Sequence, residues 1–132
     1  MKKALVLGGT GAMGVYLVPE LAGMGYEVHS VSIDDVASDN RDIRQIKANA
    51  KDVDFLTQQL QGKYDVIVDF MIYTPAEFQS RLDLLLGNTA HYFFLSSYRV
   101  YADKEIPTLE TSPRLLDVAE NAEYLAHRDT EY

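Results

Sequence analysis

The stretch Gly8-Gly9-Thr10-Gly11-Ala12-Met13-Gly14 carries the strongest chemical signal in the chain. It satisfies both the GxxGxxG and the GxGxxG spacing. The apolar run Ala4-Leu5-Val6-Leu7 precedes it and reads as a buried strand, whereas Val15, Leu17, Val18, Leu21 and Ala22 follow at helical spacing. Glycines between a strand and a helix allow a tight turn, close approach of a phosphate to backbone, and close packing of helix on strand. The helix N-terminus adds free N–H groups and a partial positive charge. Strand, turn and helix in this order make the motif a dinucleotide fingerprint; the plainer reading is a glycine-rich turn that holds no ligand.

Asp34 lies twenty positions after Gly14, just past a second apolar run. An acid there can accept hydrogen bonds from an adenosine ribose, and Ser32 is the alternative for that contact. A solvated loop acid is the bland reading. No lysine or arginine occurs between Lys3 and Arg41, so a 2′-phosphate lacks an evident partner near this strand end. NAD is therefore expected over NADP, unless a loop folds Arg41 and Arg44 back.

A second group of candidates is Phe93-Phe94-Leu95-Ser96-Ser97-Tyr98-Arg99-Val100-Tyr101, followed by Pro107, Glu110 and Pro113. At a strand end, Ser96 and Ser97 read equally as turn residues. His29, His91 and His127 show no ligand spacing, so no metal is expected. Asp65 and Asp69 bracket the fourth apolar run and read first as ordinary strand-end acids.

The elements that would position these residues follow from the pattern. Strands are expected at Ala4–Leu7, Val28–Ile33, Ile43–Ala48, Val66–Val68 and His91–Ser96. Helices follow the glycine motif, Asp52 as a cap, and Thr74-Pro75-Ala76-Glu77, a capping box with proline at the first helical position. Pro19 lies inside the first helix and is expected to bend it. Asp34 to Asp42 reads as loop. Past Tyr101 the pattern weakens. Alternating all-apolar strands and helices predict a parallel sheet with helices on both faces.

Composition narrows the class. The 132 residues amount to one domain or a part of one, with 47% hydrophobic and 24% charged residues. There is no cysteine, which excludes disulfides and thiolate metal sites and makes the cytoplasm the expected compartment. Net charge is −8, which opposes nucleic acid and anionic lipid as partners. No apolar run is long enough to span a membrane.

The glycine motif together with Ser96-Ser97-Tyr98-Arg99-Val100-Tyr101, Pro107, Glu110 and Pro113 resembles the NAD-dependent epimerase/dehydratases, the extended short-chain dehydrogenase/reductases. The resemblance runs over the whole chain. It implies an incomplete Rossmann-type doubly wound sheet with strand order 3-2-1-4-5, truncated at its C-terminus and lacking the substrate-binding part. It implies NAD as cofactor, a nucleotide sugar or similar hydroxyl substrate, and hydride transfer to nicotinamide.

By the same resemblance, Gly8, Gly11 and Gly14, with Ala12 and Met13 between them, would hold the pyrophosphate. Asn49 and Ala50 would flank the adenine. Phe70, Met71 and Ile72 would contact ribose through backbone, although the family usually places small residues where this chain has Met71 and Ile72. Ser97 would orient the substrate hydroxyl. Tyr132 is the favoured catalytic tyrosine and Tyr124 the alternative; Tyr124 has Arg128 where the YxxxK motif has lysine. With that pair incomplete, the chain as given is expected to be inactive. An unpaired fifth strand is expected to favour a homo-oligomer. The rival reading is a non-catalytic dinucleotide-binding module, regulatory or RNA-associated, on the same fold.

Overall fold

A computed structural model describes residues 1–127. Five strands, β1 Lys2–Leu7, β2 Tyr26–Ser32, β3 Ile43–Lys47, β4 Tyr64–Asp69 and β5 Thr89–Phe94, form one parallel sheet in the order β3-β2-β1-β4-β5. This is the expected strand order. Alternation along β1 separates two cores, as the two-residue period of a strand requires. Ala4 and Val6 pack with Val18, Leu21 and Ala22 of helix α1, Gly14–Gly23. Leu5 and Leu7 pack on the opposite face with Leu56 and Leu60 of α2, Val53–Leu60, and Leu85 of α3, Pro75–Leu86. Among the described residues no helix is long and apolar enough to cross a membrane.

The caps form as the sequence indicates. The Asp52 carboxylate accepts from Asp54 N at 2.9 Å and Phe55 N at 3.2 Å. Thr74 and Glu77 close the reciprocal box at 2.8 and 3.3 Å. Helix α1 runs through the exposed Pro19 without ending there. The Val15 carbonyl it leaves without a helical donor can be served by water, which limits the cost.

All five strands have ends that differ from the expected ones: β1 begins at Lys2 instead of Ala4, β3 stops at Lys47 instead of Ala48, and β4 spans Tyr64–Asp69 instead of Val66–Val68. The second strand begins at Tyr26 and stops at Ser32, leaving Ile33 72% exposed at its end. The fifth spans Thr89–Phe94 instead of His91–Ser96, because Tyr64 pairs with Thr89 and its N–H donates to Asn88 O. β-Branched or apolar character thus misplaced ends that the inter-strand ladder decides.

The chain divides into two compact units. The sheet unit comprises 1–72 and 79–95. The second comprises, among the described residues, 73–78 and 96–127. It contains a 3-10 turn at Tyr98–Val100 and two short helices, α4 Leu115–Val118 and α5 Ala122–His127. It is tied by an antiparallel bridge between Tyr101 and Arg114 and by Ser112, which donates to Glu105 at 2.6 Å and accepts from Leu109 N at 2.8 Å.

Candidate functional site

In a parallel sheet every strand delivers its C-terminal end to one edge. At that edge, where β1 separates the two directions of winding, the sheet unit has a cleft of about 560 Å³. A crevice at such a switch point is the usual ligand site of an open α/β sheet. Gly8, Gly11, Ala12, Met13, Gly14, Ser32, Asp34, Asn49, Ala50, Phe70 and Met71 all line it. Ile72 does not; it is exposed. Thr10, Val31, Ile33, Ala48 and Leu95 also line the cleft and were not read as site residues.

The glycines are required for different reasons. Gly8 has φ +83°, a conformation that side chains disfavour. A Cβ on Gly14 would lie 2.5 Å from the Gly9 backbone, and one on Gly9 would lie 2.1 Å from Ser30 Oγ. Loop and helix therefore cross in contact. Gly11 is different: a Cβ there meets Gly8 O at an ordinary 3.4 Å, and φ is not left-handed. Among the described residues nothing forbids a side chain at Gly11, so the space above it is open to a ligand.

The amides support the same assignment. Gly8 N and Gly9 N donate to Val31 O and Gly11 N to Gly8 O, whereas the N–H groups of Ala12, Met13 and Gly14 reach no acceptor among the described residues. Helix α1 has no acidic residue in its first turn and no side-chain cap. Its N-terminal donors and partial positive charge thus face the cleft uncompensated, which suits a phosphate group.

At the end of β2, Thr10 Oγ1 donates to Asp34 Oδ2 at 2.5 Å, and Ser32 Oγ lies 2.6 Å from Thr10 Oγ1. Ser32 Oγ accepts from Asp34 N at 2.9 Å. Arg41 and Arg44 lie elsewhere: they line a separate hollow with Met1 and Glu27, where β1 and β3 begin. Lys47, at the C-terminal end of β3, pairs with Asp35 at 3.2 Å. Among the described residues no arginine or lysine lines the cleft.

The far wall rests on Asp69. Fully buried at the end of β4, it accepts from Met71 N at 2.9 Å and from Tyr92 Oη at 2.8 Å. This fixes the backbone that carries Phe70 and Met71. The Met71 side chain reaches toward the loop, its sulfur 3.4 Å from where a Gly8 Cβ would be.

Ser97 and Tyr124 belong to the second unit. Ser97 is exposed and caps the 3-10 turn, its Oγ accepting from Arg99 N at 3.3 Å. Tyr124 is half-buried and lines a hollow with Lys104, Leu115 and Asn121. Arg128 and Tyr132 lie outside the described residues. Among the described residues no cluster of metal-ligating side chains occurs.

No curated protein matches the chain. Solved structures do. A UDP-galactose 4-epimerase aligns over 85% of this chain and 44% of its own, with TM-score 0.66 and 24% identity. An epimerase from Methanothermobacter thermautotrophicus aligns over 84% and 40%, with TM-score 0.64 and 21% identity. The enzyme WbmG of Bordetella bronchiseptica in complex with NAD aligns over 85% and 43%, with TM-score 0.68 and 14% identity. The chain thus spans less than half the length of these proteins, and at such identities the likeness speaks for the fold. The family model for the NAD dependent epimerase/dehydratase family matches residues 4–128, nearly the whole chain, and with the cleft at its expected place the chain belongs to that family.

Proposed function

We propose that these 132 residues are the cofactor-binding part of an epimerase or dehydratase that binds NAD and acts on a nucleotide sugar or a similar hydroxyl-bearing substrate in the cytoplasm. The observation that carries the reading is the convergence on one cleft of uncompensated helix N–H groups, a glycine whose side-chain space is open, and an acid at the end of β2. Each suits a different part of a dinucleotide: pyrophosphate at Gly11–Gly14, ribose hydroxyls at Asp34 or Ser32, and adenine at Asn49 and Ala50. Phe70 and Met71 would hold the second ribose by backbone, and Ile72 would join them from its exposed position. A bound nicotinamide would supply the hydride acceptor that these side chains lack.

The substrate class is supported by the names of the structural neighbours, a UDP-galactose 4-epimerase and a WbmG structure with NAD and UDP. In this reading Ser97 orients the substrate hydroxyl, and Tyr132, or Tyr124 in its place, takes the proton. NAD is preferred over NADP. Among the described residues no base lines the cleft, Arg41 and Arg44 belong to another hollow, and Lys47 pairs with Asp35. The test is calorimetric titration with NAD and NADP at moderate salt. Measurable NAD binding, about tenfold or more tighter than NADP, is expected for an acid-lined ribose site. Failure to bind either dinucleotide at millimolar concentration would overturn the reading, and equal binding would overturn the preference.

A further inference from the structure

We infer that Thr10 is a positioning residue, holding the Asp34 carboxylate toward the cleft and thereby setting the preference for NAD over NADP. The inference rests on the reading of Asp34 as the ribose acceptor and adds to it a residue that touches neither ribose nor phosphate in that reading. Asp34 follows β2 on an exposed loop, where a short carboxylate side chain ordinarily samples several rotamers. Here it is held. Thr10 Oγ1 donates to Oδ2 at 2.5 Å, and Ser32 Oγ lies 3.2 Å from the same oxygen.

Proton counting makes the arrangement more specific. Each hydroxyl has one proton to give. That of Thr10 goes to the carboxylate in a short, charge-assisted bond. That of Ser32 then goes to its nearer acceptor, Thr10 Oγ1 at 2.6 Å, while Ser32 Oγ accepts from Asp34 N at 2.9 Å. The result is a closed ring running from the Asp34 amide through two hydroxyls to the Asp34 carboxylate. Bonds linked in this way strengthen one another. Ser32 is buried and anchors the ring, whereas Thr10 belongs to the glycine loop. Asp34 Oδ1 accepts from no described residue, so it is the oxygen left for a ligand hydroxyl.

The consequence for selectivity is direct. A 2′-phosphate would be tolerated if the carboxylate could swing away, and the Thr10 bond opposes that swing. Removing the hydroxyl should weaken NAD, whose ribose loses a pre-oriented acceptor, and relieve NADP, whose phosphate regains room. Both effects arise from orientation, so serine at this position should restore them.

The experiment measures NAD and NADP dissociation constants for the wild-type chain, Thr10→Val, Thr10→Ser, Asp34→Asn and the double variant Thr10→Val/Asp34→Asn. Thermal melts check that each is folded. Thr10→Val should weaken NAD by about three- to tenfold, the worth of one net hydrogen bond, and narrow the NADP/NAD ratio. Thr10→Ser should stay within about twofold of wild type, and the double variant should be no weaker than Asp34→Asn, as coupled residues require. Should Thr10→Val melt much earlier, Thr10→Ser and Thr10→Ala are compared on the NADP/NAD ratio, which a general loss of folding does not shift. Unchanged binding in Thr10→Val beside weakened Asp34→Asn overturns the inference and leaves the ribose reading standing. Additive losses in the double variant overturn it likewise. Unchanged binding in Asp34→Asn overturns both.

Discussion

Placing a methyl group on each of two glycines of the same loop should separate stability from binding. In Gly14→Ala the new carbon would stand 2.5 Å from both C and O of Gly9 and 2.7 Å from its Cα. These are backbone atoms, so no rotamer relieves the clash. Helix α1 must retreat by about 1 Å to restore a carbon contact of about 3.5 Å. That retreat loosens Val18, Leu21 and Ala22 against Ala4, Val6 and Val28, one of the two cores of the sheet. Overpacking of this kind costs about 1–3 kcal/mol. For a chain of this size that lowers Tm by roughly 3–6 °C per kcal/mol.

In Gly11→Ala the new carbon meets Gly8 O at 3.4 Å and nothing closer. Stability should stay within about 0.5 kcal/mol of wild type, as for a surface substitution. NAD affinity should nevertheless fall, by about tenfold or more for Gly11→Val, or about 1.4 kcal/mol. Scanning fluorimetry reads the first effect and calorimetry the second. Gly11→Val retaining full NAD affinity, or Gly14→Ala melting with wild type, would refute the division of labour assigned to the two glycines.

Burial pushes the Tyr64 phenol above its ordinary range; the hydrogen bond from Gln59 works against the rise, and Glu27 adds to it. The folded state then holds this proton more tightly than the unfolded chain. Its contribution is therefore present below about pH 10, the unfolded value, and is lost as pH rises through the folded one. Tyr64→Phe should show a shallower alkaline loss of stability, and equal slopes between pH 9 and 11 would count against the argument. Asp52→Ala should cost about 1 kcal/mol in urea unfolding, since its carboxylate serves two helical amides; an unmoved midpoint would contradict the cap's role. The edge strand β5 carries Phe93 and Phe94, 56% and 40% exposed, and the chain is expected to self-associate there. Sedimentation at high micromolar concentration should show a species heavier than the monomer, reduced in Phe93→Lys, and a strict monomer would refute this.

How much of the site was legible depended on whether its cause was local. Caps at Asp52 and Thr74, the glycine turn and the acid twenty residues on are short-range signals, and each stands where its residues indicate. Thr10 occupies a variable position of the motif, so its tie to Asp34 across 24 residues had no local sign. Asp69 read as an ordinary strand-end acid, yet it is fully buried because Tyr92, 23 residues later, donates to it from the neighbouring strand. Arg81 is a similar case. In α3 the buried members are Arg81 and Leu85, and no local signal marks an arginine for burial. The Arg81 guanidinium donates to Lys51 O at 2.9 Å, and a buried cation with an acceptor at hand is tolerable where an unpartnered one is not.

Topology places the two arginines that bear on cofactor preference in the proposed reading. From sequence alone, whether Arg41 and Arg44 could serve a 2′-phosphate turns on how the loop from Asp34 to Asp42 folds. In a parallel sheet it turns on where β3 begins. Ile43 pairs with Val28 and Lys47 with Ser32, so β3 runs from the far edge toward the cleft. Residues at or before its start therefore belong to the edge where β1 also starts, which is where both arginines share a hollow with Met1. Lys47, at the strand's other end, is the base this direction delivers toward Asp34, and its partner Asp35 adjoins Asp34. In the proposed reading, strand direction would act on the selectivity of the cleft before side-chain choice does. Moving a basic residue into the loop before β3 should leave cofactor preference unchanged, whereas a base introduced at Ile33, which lines the cleft beside Asp34, should shift it toward NADP. Titration of Ile33→Arg with both dinucleotides tests this. An unchanged NADP/NAD ratio in that variant, beside a shifted ratio on adding arginine at Asn40, would show that the loop and not the strand direction controls the site.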